Sequence, residues 1–179
     1  MDTILHHIND HKNDSIYTLF ISTLSNNTLS NNTLSNINTP LSVDDTTILA
    51  QHLCAQLNIL EYEYSKSIAF IRLSDITVLN NTIFIISNLE NMVNLHTNNT
   101  DIVLICPSTK FNHKTCSPEL LSINILPFIT HKSSSYYSIG LLCLTVLNMR
   151  LDEIKNTRLF YFLVRCLNKI LHLRKCIFI

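Results

Sequence analysis

The stretch KTCSPELLSI, residues 114–123, lies between a polar loop and an apolar run. Pro118 followed by Glu119 predicts a helix start. Proline tolerates the first turn, and a carboxylate suits the positive end of the helix dipole. A glutamate so placed either caps its own helix or pairs with a cation elsewhere in the chain. The second reading ties the whole fold to this stretch, so a partner for Glu119 is the first thing to seek.

The chain has 179 residues, enough for one domain with a core but short for two. Apolar residues make up 46%, which predicts a folded chain. Thirteen basic and 13 acidic residues give a formal net charge of +0. No global field gathers nucleic acid or an anionic membrane. MRLDEIKNTRLF and LHLRK carry clustered cations and read as solvated helix faces. The longest apolar run, IGLLCLTVL, is too short to span a bilayer.

Six cysteines (54, 106, 116, 143, 166 and 176) are scattered, and none forms Cys-x-x-Cys. Several sit in apolar runs, where a reduced cysteine behaves as a small hydrophobe. The start MDTILHHINDHKND is polar, so no signal peptide is expected. Reduced cysteines in a cytoplasmic setting are therefore expected. Gly140 is the one glycine. Loops that cradle phosphate need glycine so that backbone N–H groups can approach the anion. A dinucleotide fingerprint and a P-loop are both excluded.

Residues 1–22 read as a short N-terminal segment, with DSIYTLFISTL as a possible helix. Residues 23–40 carry a repeated Thr-Leu-Ser-Asn-Asn unit and end at Pro40. Asn, Ser and Thr compete with the backbone for hydrogen bonds, so a flexible insertion is expected. From residue 41 to 179 the chain reads as one unit. Leu49, Leu53, Leu57 and Leu60 predict a helix over about residues 45–61, capped by Asp44 or Asp45. SIAFIRLSDITVLNNTIFIISN reads as short strands about an Asn80-Asn81 turn, and DIVLICPS as another strand. SSSYYSIGLLCLTVLNM is apolar nearly all round, the mark of a buried helix. In NTRLFYFLVRCLNKILHLRKCIFI, Asn156 or Thr157 caps a helix. Its apolar stripe is Leu159, Phe162, Leu163, Cys166, Leu167 and Ile170. A mainly α fold with a small β-element is expected.

In this order the pieces resemble the C-terminal lobe of a eukaryotic-type protein kinase, over roughly residues 15–179. SPEL at 117–120 looks like the Ala-Pro-Glu that closes the activation segment. SYYSIGLLCLTVL at 135–147 looks like the helix signature Asp-x-Trp-Ser-x-Gly, with Tyr137, Ser138 and Gly140 on its last three fixed positions. RCLNKILHLRKCIFI at 165–179 looks like the late Cys-Leu…Arg ending, with Arg174 as its arginine. ILAQHLCAQLNIL sits where kinases have the long helix before the catalytic loop. SIYTLF followed by PLSVDD fits the helix after the hinge and the start of that long helix. The Asn- and Ile-rich style is similar to kinase-like proteins of large DNA viruses. The resemblance implies a C-lobe helical bundle with the N-lobe missing. It also implies a motif pairing of Pro118-Glu119 with Arg174.

The same resemblance places the chemistry, and finds it degraded. Phe70-Ile71-Arg72 lie over His-Arg-Asp, which puts Arg72 where the base belongs. With two residues deleted, Asp75 falls near the metal-binding asparagine. It reads as a displaced base, a metal ligand or, by preference, a turn aspartate. Ser87-Asn88-Leu89 stand in place of Asp-Phe-Gly, so no carboxylate is there to hold magnesium. Ser135 replaces the helix-signature aspartate, a loss of loop support. No cofactor and no metal are expected. The implied function is a catalytically inactive kinase-like domain that binds a protein partner or self-associates. The alternatives are a phosphotransferase completed in trans, or an unrelated helical interaction protein. Two weaker sets complete the candidates: His7 with His11 at helical spacing, and Cys106 and Cys116 with His113. His96, His131 and His172 read as surface or core residues.

Overall fold

The computed structural model describes Phe20, residues 33–96, the backbone of residues 99–105, and residues 114–178. The N-terminal helix expectation, His7 with His11, Cys106 and His113 fall outside these residues.

Helix α1 runs Val43–Glu63. Ser42 caps it: the Asp45 N–H donates to Ser42 Oγ at 3.0 Å, and Ser42 Oγ donates to the Asp45 carboxylate at 2.6 Å. Asp44 and Asp45 occupy the first turn, where the dipole favours them. The cap is thus Ser42, two residues before Asp44 and three before Asp45, and not either aspartate. Leu49, Leu53 and Leu57 are fully buried along one face, each contributing about 2 kcal/mol by apolar burial.

After α1 come strands β1 (Lys66–Ile68), β2 (Ile76–Leu79) and β3 (Ile83–Ile86), then β4 (Met92–His96) and β5 (Asn99–Ile105). Helix α2 (Pro118–Leu121) begins at the proline, as expected from its sequence. Strand β6 (Phe128–His131), helix α3 (Ser133–Leu147) and helix α4 (Arg158–Cys166) complete the body. β2 and β3 form an antiparallel hairpin of their own. Asn80 and Asn81 turn it with φ of 50° and 61°, the left-handed conformation that asparagine tolerates best after glycine. The other strands make a four-stranded antiparallel sheet in the order β1-β4-β5-β6.

This architecture corrects the expected mainly α, C-lobe helical bundle. The described residues form a mixed α and β body with two antiparallel sheets. β4 and β6 are the unanticipated strands. Met92–His96 is interrupted by Asn94, and Phe128–His131 is only four residues long beside Pro127. Val93 and Leu95 alternate with exposed Asn94, but the pattern is too brief to mark a strand, and Phe128–His131 shows none. They become strands because β5 pairs with both, Val103 facing Leu95 on one side and Thr130 on the other.

The main core joins α1, α3 and α4 to the β2–β3 hairpin through Leu53, Leu57, Phe84, Ile86, Ile139, Leu142, Phe162 and Leu163. Phe20 also lies in it. A second cluster (Ala69, Phe70, Val93, Leu95, Cys116 and Leu120) packs the larger sheet against α2. Gln56 is buried between α1 and the hairpin with its amide satisfied. Its Nε2 donates to Phe84 O at 2.8 Å, and Ile86 N donates to its Oε1 at 2.8 Å. Of the repeat segment, residues 23–32 lie outside the described residues; Thr33 bridges Thr77, and Leu34 is buried in the core.

α4 opens on Thr157, whose Oγ1 accepts from Phe160 N at 3.1 Å. Its stripe ends at Cys166, so Leu167 and Ile170 lie beyond the helix and Ile170 is half exposed. Cys54 and Cys176 form a disulfide across 122 residues of sequence. That corrects the expectation that every cysteine is reduced. Cys143 and Cys166 are buried thiols.

Candidate functional site

Asp75 ends a single 3-10 turn, Leu73–Asp75, directly before β2. Its side chain is almost wholly buried. Arg72 N donates to Oδ2 at 2.8 Å, and Arg72 Nε reaches both oxygens at 3.0 Å. Arg72 Nη2 lies 2.8 Å from Oδ1. Asn88, just past β3, donates from Nδ2 to Oδ1 at 3.1 Å. The Asp75 carbonyl also accepts Ser87 N at 2.8 Å, which pins the segment after β3 to this turn. Arg72 then extends to Glu90, Nη2 to Oε2 at 3.2 Å. Hydrogen bonding to Asp75 holds the Arg72 guanidinium above its already high value.

The turn therefore brings together Arg72, Asp75 and Asn88, which the sequence had assigned to three separate positions. A carboxylate offers about four lone-pair sites, and these contacts occupy them. Asp75 is a buried structural acceptor, with an arginine as its counter-ion. Among the described residues no group of three or more His, Cys, Asp or Glu side chains is placed to hold a metal ion.

The loop ahead of this turn is held by α3. Ile71 N donates to Ser138 Oγ at 2.8 Å, and Thr115 Oγ1 donates to Ile71 O at 2.7 Å. The loop support thought lost with Ser135 is supplied by Ser138, one turn further along the helix. Ser135 Oγ instead donates to Lys132 O at 2.6 Å, at the start of α3. Gly140 on the same helix faces Leu167 and Cys166. A Cβ there would lie 2.9 Å from Leu167 Cδ2 and 3.1 Å from Cys166 Cβ. Close approach of α3 to the end of α4 is what requires the glycine.

Glu119 and Arg174 meet. Arg174 Nη1 donates to Oε1 at 2.5 Å and Nη2 to Oε2 at 3.1 Å, a two-pronged contact that only arginine makes. Ser134 Oγ at the start of α3 donates to the same carboxylate at 2.7 Å. Arg174 Nε donates to Asn168 O at 2.7 Å, and its guanidinium lies 4.6 Å from the Tyr137 ring centre. Burial pushes the Glu119 carboxyl up, but the hydrogen bonds to its carboxylate, Arg174's the largest among them, outweigh it and leave it below the usual range. One clamp thus joins α2, α3 and the C-terminal segment.

A third polar cluster carries no sequence signal. Glu61 near the end of α1 pairs with Lys132 at 3.0 Å and accepts from Tyr136 Oη at 3.1 Å. Its side chain is 2% exposed and that of Lys132 is 16%. Burial raises the Glu61 carboxyl; Lys132, Tyr136 and Ser67 offset this only in part. Nothing in LEYEY or HKSSS points one to the other, because only the packing of α1 on α3 brings them together.

Among the cation-rich stretches, Arg150 is answered by Asp152 at 3.1 Å. No helix of the described residues is long and apolar enough to cross a membrane. No protein-family model matches the chain, and no curated protein matches it.

Proposed function

We propose that this chain is a catalytically inactive protein-kinase-like domain that works by binding a protein partner. The reading rests on its motifs and not on a helical-bundle fold. One observation carries it. Asp75, the acidic residue of the degraded catalytic loop, is buried and saturated by Arg72 and Asn88. A base must reach the proton it removes, and a metal ligand must have a free lone pair. Asp75 meets neither requirement, while the arrangement suits a rigid scaffold. The two-pronged Glu119–Arg174 contact also supports the reading, since the motif resemblance calls for that pair. Zero net charge favours a protein partner over nucleic acid. A cytoplasmic setting belongs to this reading.

The test is a thermal melt of the purified chain with and without MgATP. A cooperative melt that MgATP leaves unmoved is expected. Preferential binding to the folded state raises stability by about 2.7 kcal/mol at a hundredfold excess over Kd. A clear upward shift of Tm therefore overturns the inactive reading and returns phosphoryl transfer to consideration.

A further inference from the structure

The C-terminal segment 174–178 leaves the last 3-10 turn and runs back over α1 and α4. Its residues are tied at different depths. Arg174 holds Glu119 of α2, Cys176 is bonded to Cys54 of α1, and Phe178 stacks on Phe162 of α4 at 4.3 Å between ring centres. Cys166 Sγ donates to Lys175 O at 3.5 Å, and Arg165 Nη1 donates to Ile177 O at 3.3 Å. Of these ties, one is covalent and reversible under reduction. It lies two residues from the arginine that closes the α2 clamp.

We propose that the Cys54–Cys176 disulfide is a redox-operated latch: oxidised, it holds segment 174–178 on α1 and keeps the Arg174–Glu119 clamp closed; reduced, it frees that segment and loosens α2. The inference does not depend on the kinase-like reading. It follows from where the bond sits in the chain.

The chemistry is thiol–disulfide exchange with a dithiol reductant. One thiolate of the dithiol attacks the sulfur of Cys54 or Cys176 and forms a mixed disulfide, expelling the other cysteine as thiolate. The second thiolate of the dithiol displaces the first cysteine and closes its own disulfide. The protein gains two electrons and two protons, and the dithiol is oxidised by the same amount. Cys54 and Cys176 are 7% and 8% exposed, so local opening of the segment gives a reductant access. The neighbouring thiols do not compete. Exchange requires thiolate, and burial pushes Cys143 up to about 12 and Cys166 higher still. Neither of these two thiols therefore attacks the bond, and the proposal assigns its reduction to an external dithiol.

Two measurements test the latch. First, the purified, air-oxidised protein is denatured without reductant, alkylated with N-ethylmaleimide and mapped by mass spectrometry. The peptides of Cys54 and Cys176 are expected to escape labelling and the other four cysteines to react. Labelling of all six overturns the proposal. Second, amide hydrogen exchange is compared between oxidised and dithiothreitol-reduced protein. About tenfold or faster exchange is expected in residues 119–122 and 173–177 on reduction, with the β2–β3 hairpin unchanged. Equal rates in 119–122 overturn the coupling. Equal acceleration in the hairpin also overturns it, because the bond would then support the fold as a whole. Cys176→Ser, or Cys54→Ser should that variant fail to fold, is expected to exchange like the reduced protein without any dithiol.

Discussion

Arg174 and Glu119, 55 residues apart in sequence, meet as a two-pronged ion pair, with the arginine side chain 1% exposed and the glutamate 15%. Their unequal burial makes the two partners unequal in mutation. Glu119→Ala strands a buried guanidinium, while Arg174→Ala leaves a carboxylate that water can partly reach. Removing one partner of a buried pair costs about 3–5 kcal/mol, and Glu119→Ala is expected near the top of that range. Arg174→Lys keeps the charge but loses the fork, and is expected to fall between Arg174→Ala and the wild type. Urea denaturation of the single and double variants checks the order and gives the coupling.

Two glutamates give opposite pH dependences. The folded state lowers the Glu119 pKa below 4.5. Its contribution is full above the unfolded value and is lost as pH falls through the folded one. The folded state raises the Glu61 pKa above 4.5. Its contribution is present below the unfolded value and is lost as pH rises through the folded one. Glu119→Gln is expected to flatten the fall in stability below pH 4.5, and Glu61→Gln to remove a fall above it. Urea midpoints between pH 3 and 7 read both slopes. Unchanged slopes in both variants would contradict the assignment.

Asp75→Asn keeps the shape of the side chain but turns one acceptor into a donor. That donor faces Arg72 N or the guanidinium. Leaving a buried group unsatisfied costs about 1–3 kcal/mol, more beside a charge. The expected result is a lower denaturant midpoint with an unchanged m-value, together with faster amide exchange in residues 72–76 and 87–90. A neutral substitution would mean that Asp75 is not the keystone of this turn.

Gly140→Ala sets two effects against each other. Alanine gains about 1 kcal/mol of helix propensity over glycine. The new methyl would lie 2.9–3.1 Å from Leu167 and Cys166, and overpacking costs about 1–3 kcal/mol. Leu167 Cδ2 can swing aside, but Cys166 Cβ is held by its own backbone. A net loss of about 1 kcal/mol is expected, read as a lower Tm.

Some of the molecule was legible in the sequence alone, because its causes lie within a few residues. The leucine spacing specifies α1, although the cap read as Asp44 or Asp45 is Ser42. Thr157 and the stripe through Cys166 specify α4, and the paired asparagines specify the β2–β3 turn. Pro118 begins α2 where a proline-first helix should begin. Each of these is a local balance of propensity, capping and turn chemistry. The Glu119–Arg174 contact was foreseen through a resemblance of motifs and not through any local pattern.

The remainder belongs to tertiary structure. β4 and β6 carry too brief a local pattern to be read as strands; pairing decides them, β4 between β1 and β5 and β6 along the other edge of β5. Arg72 and Asp75 are three residues apart, but Asn88 reaches them only because the hairpin folds back. Ser138 supplies the loop support whose loss was expected with Ser135, because the helix rotation decides which hydroxyl faces Ile71. Glu61 finds Lys132, and Cys54 finds Cys176, across distances in sequence where composition and spacing are silent. Local free energies act between neighbours and can be read from them. Sheet pairing, buried ion pairs and disulfides depend on which surfaces the whole chain brings together.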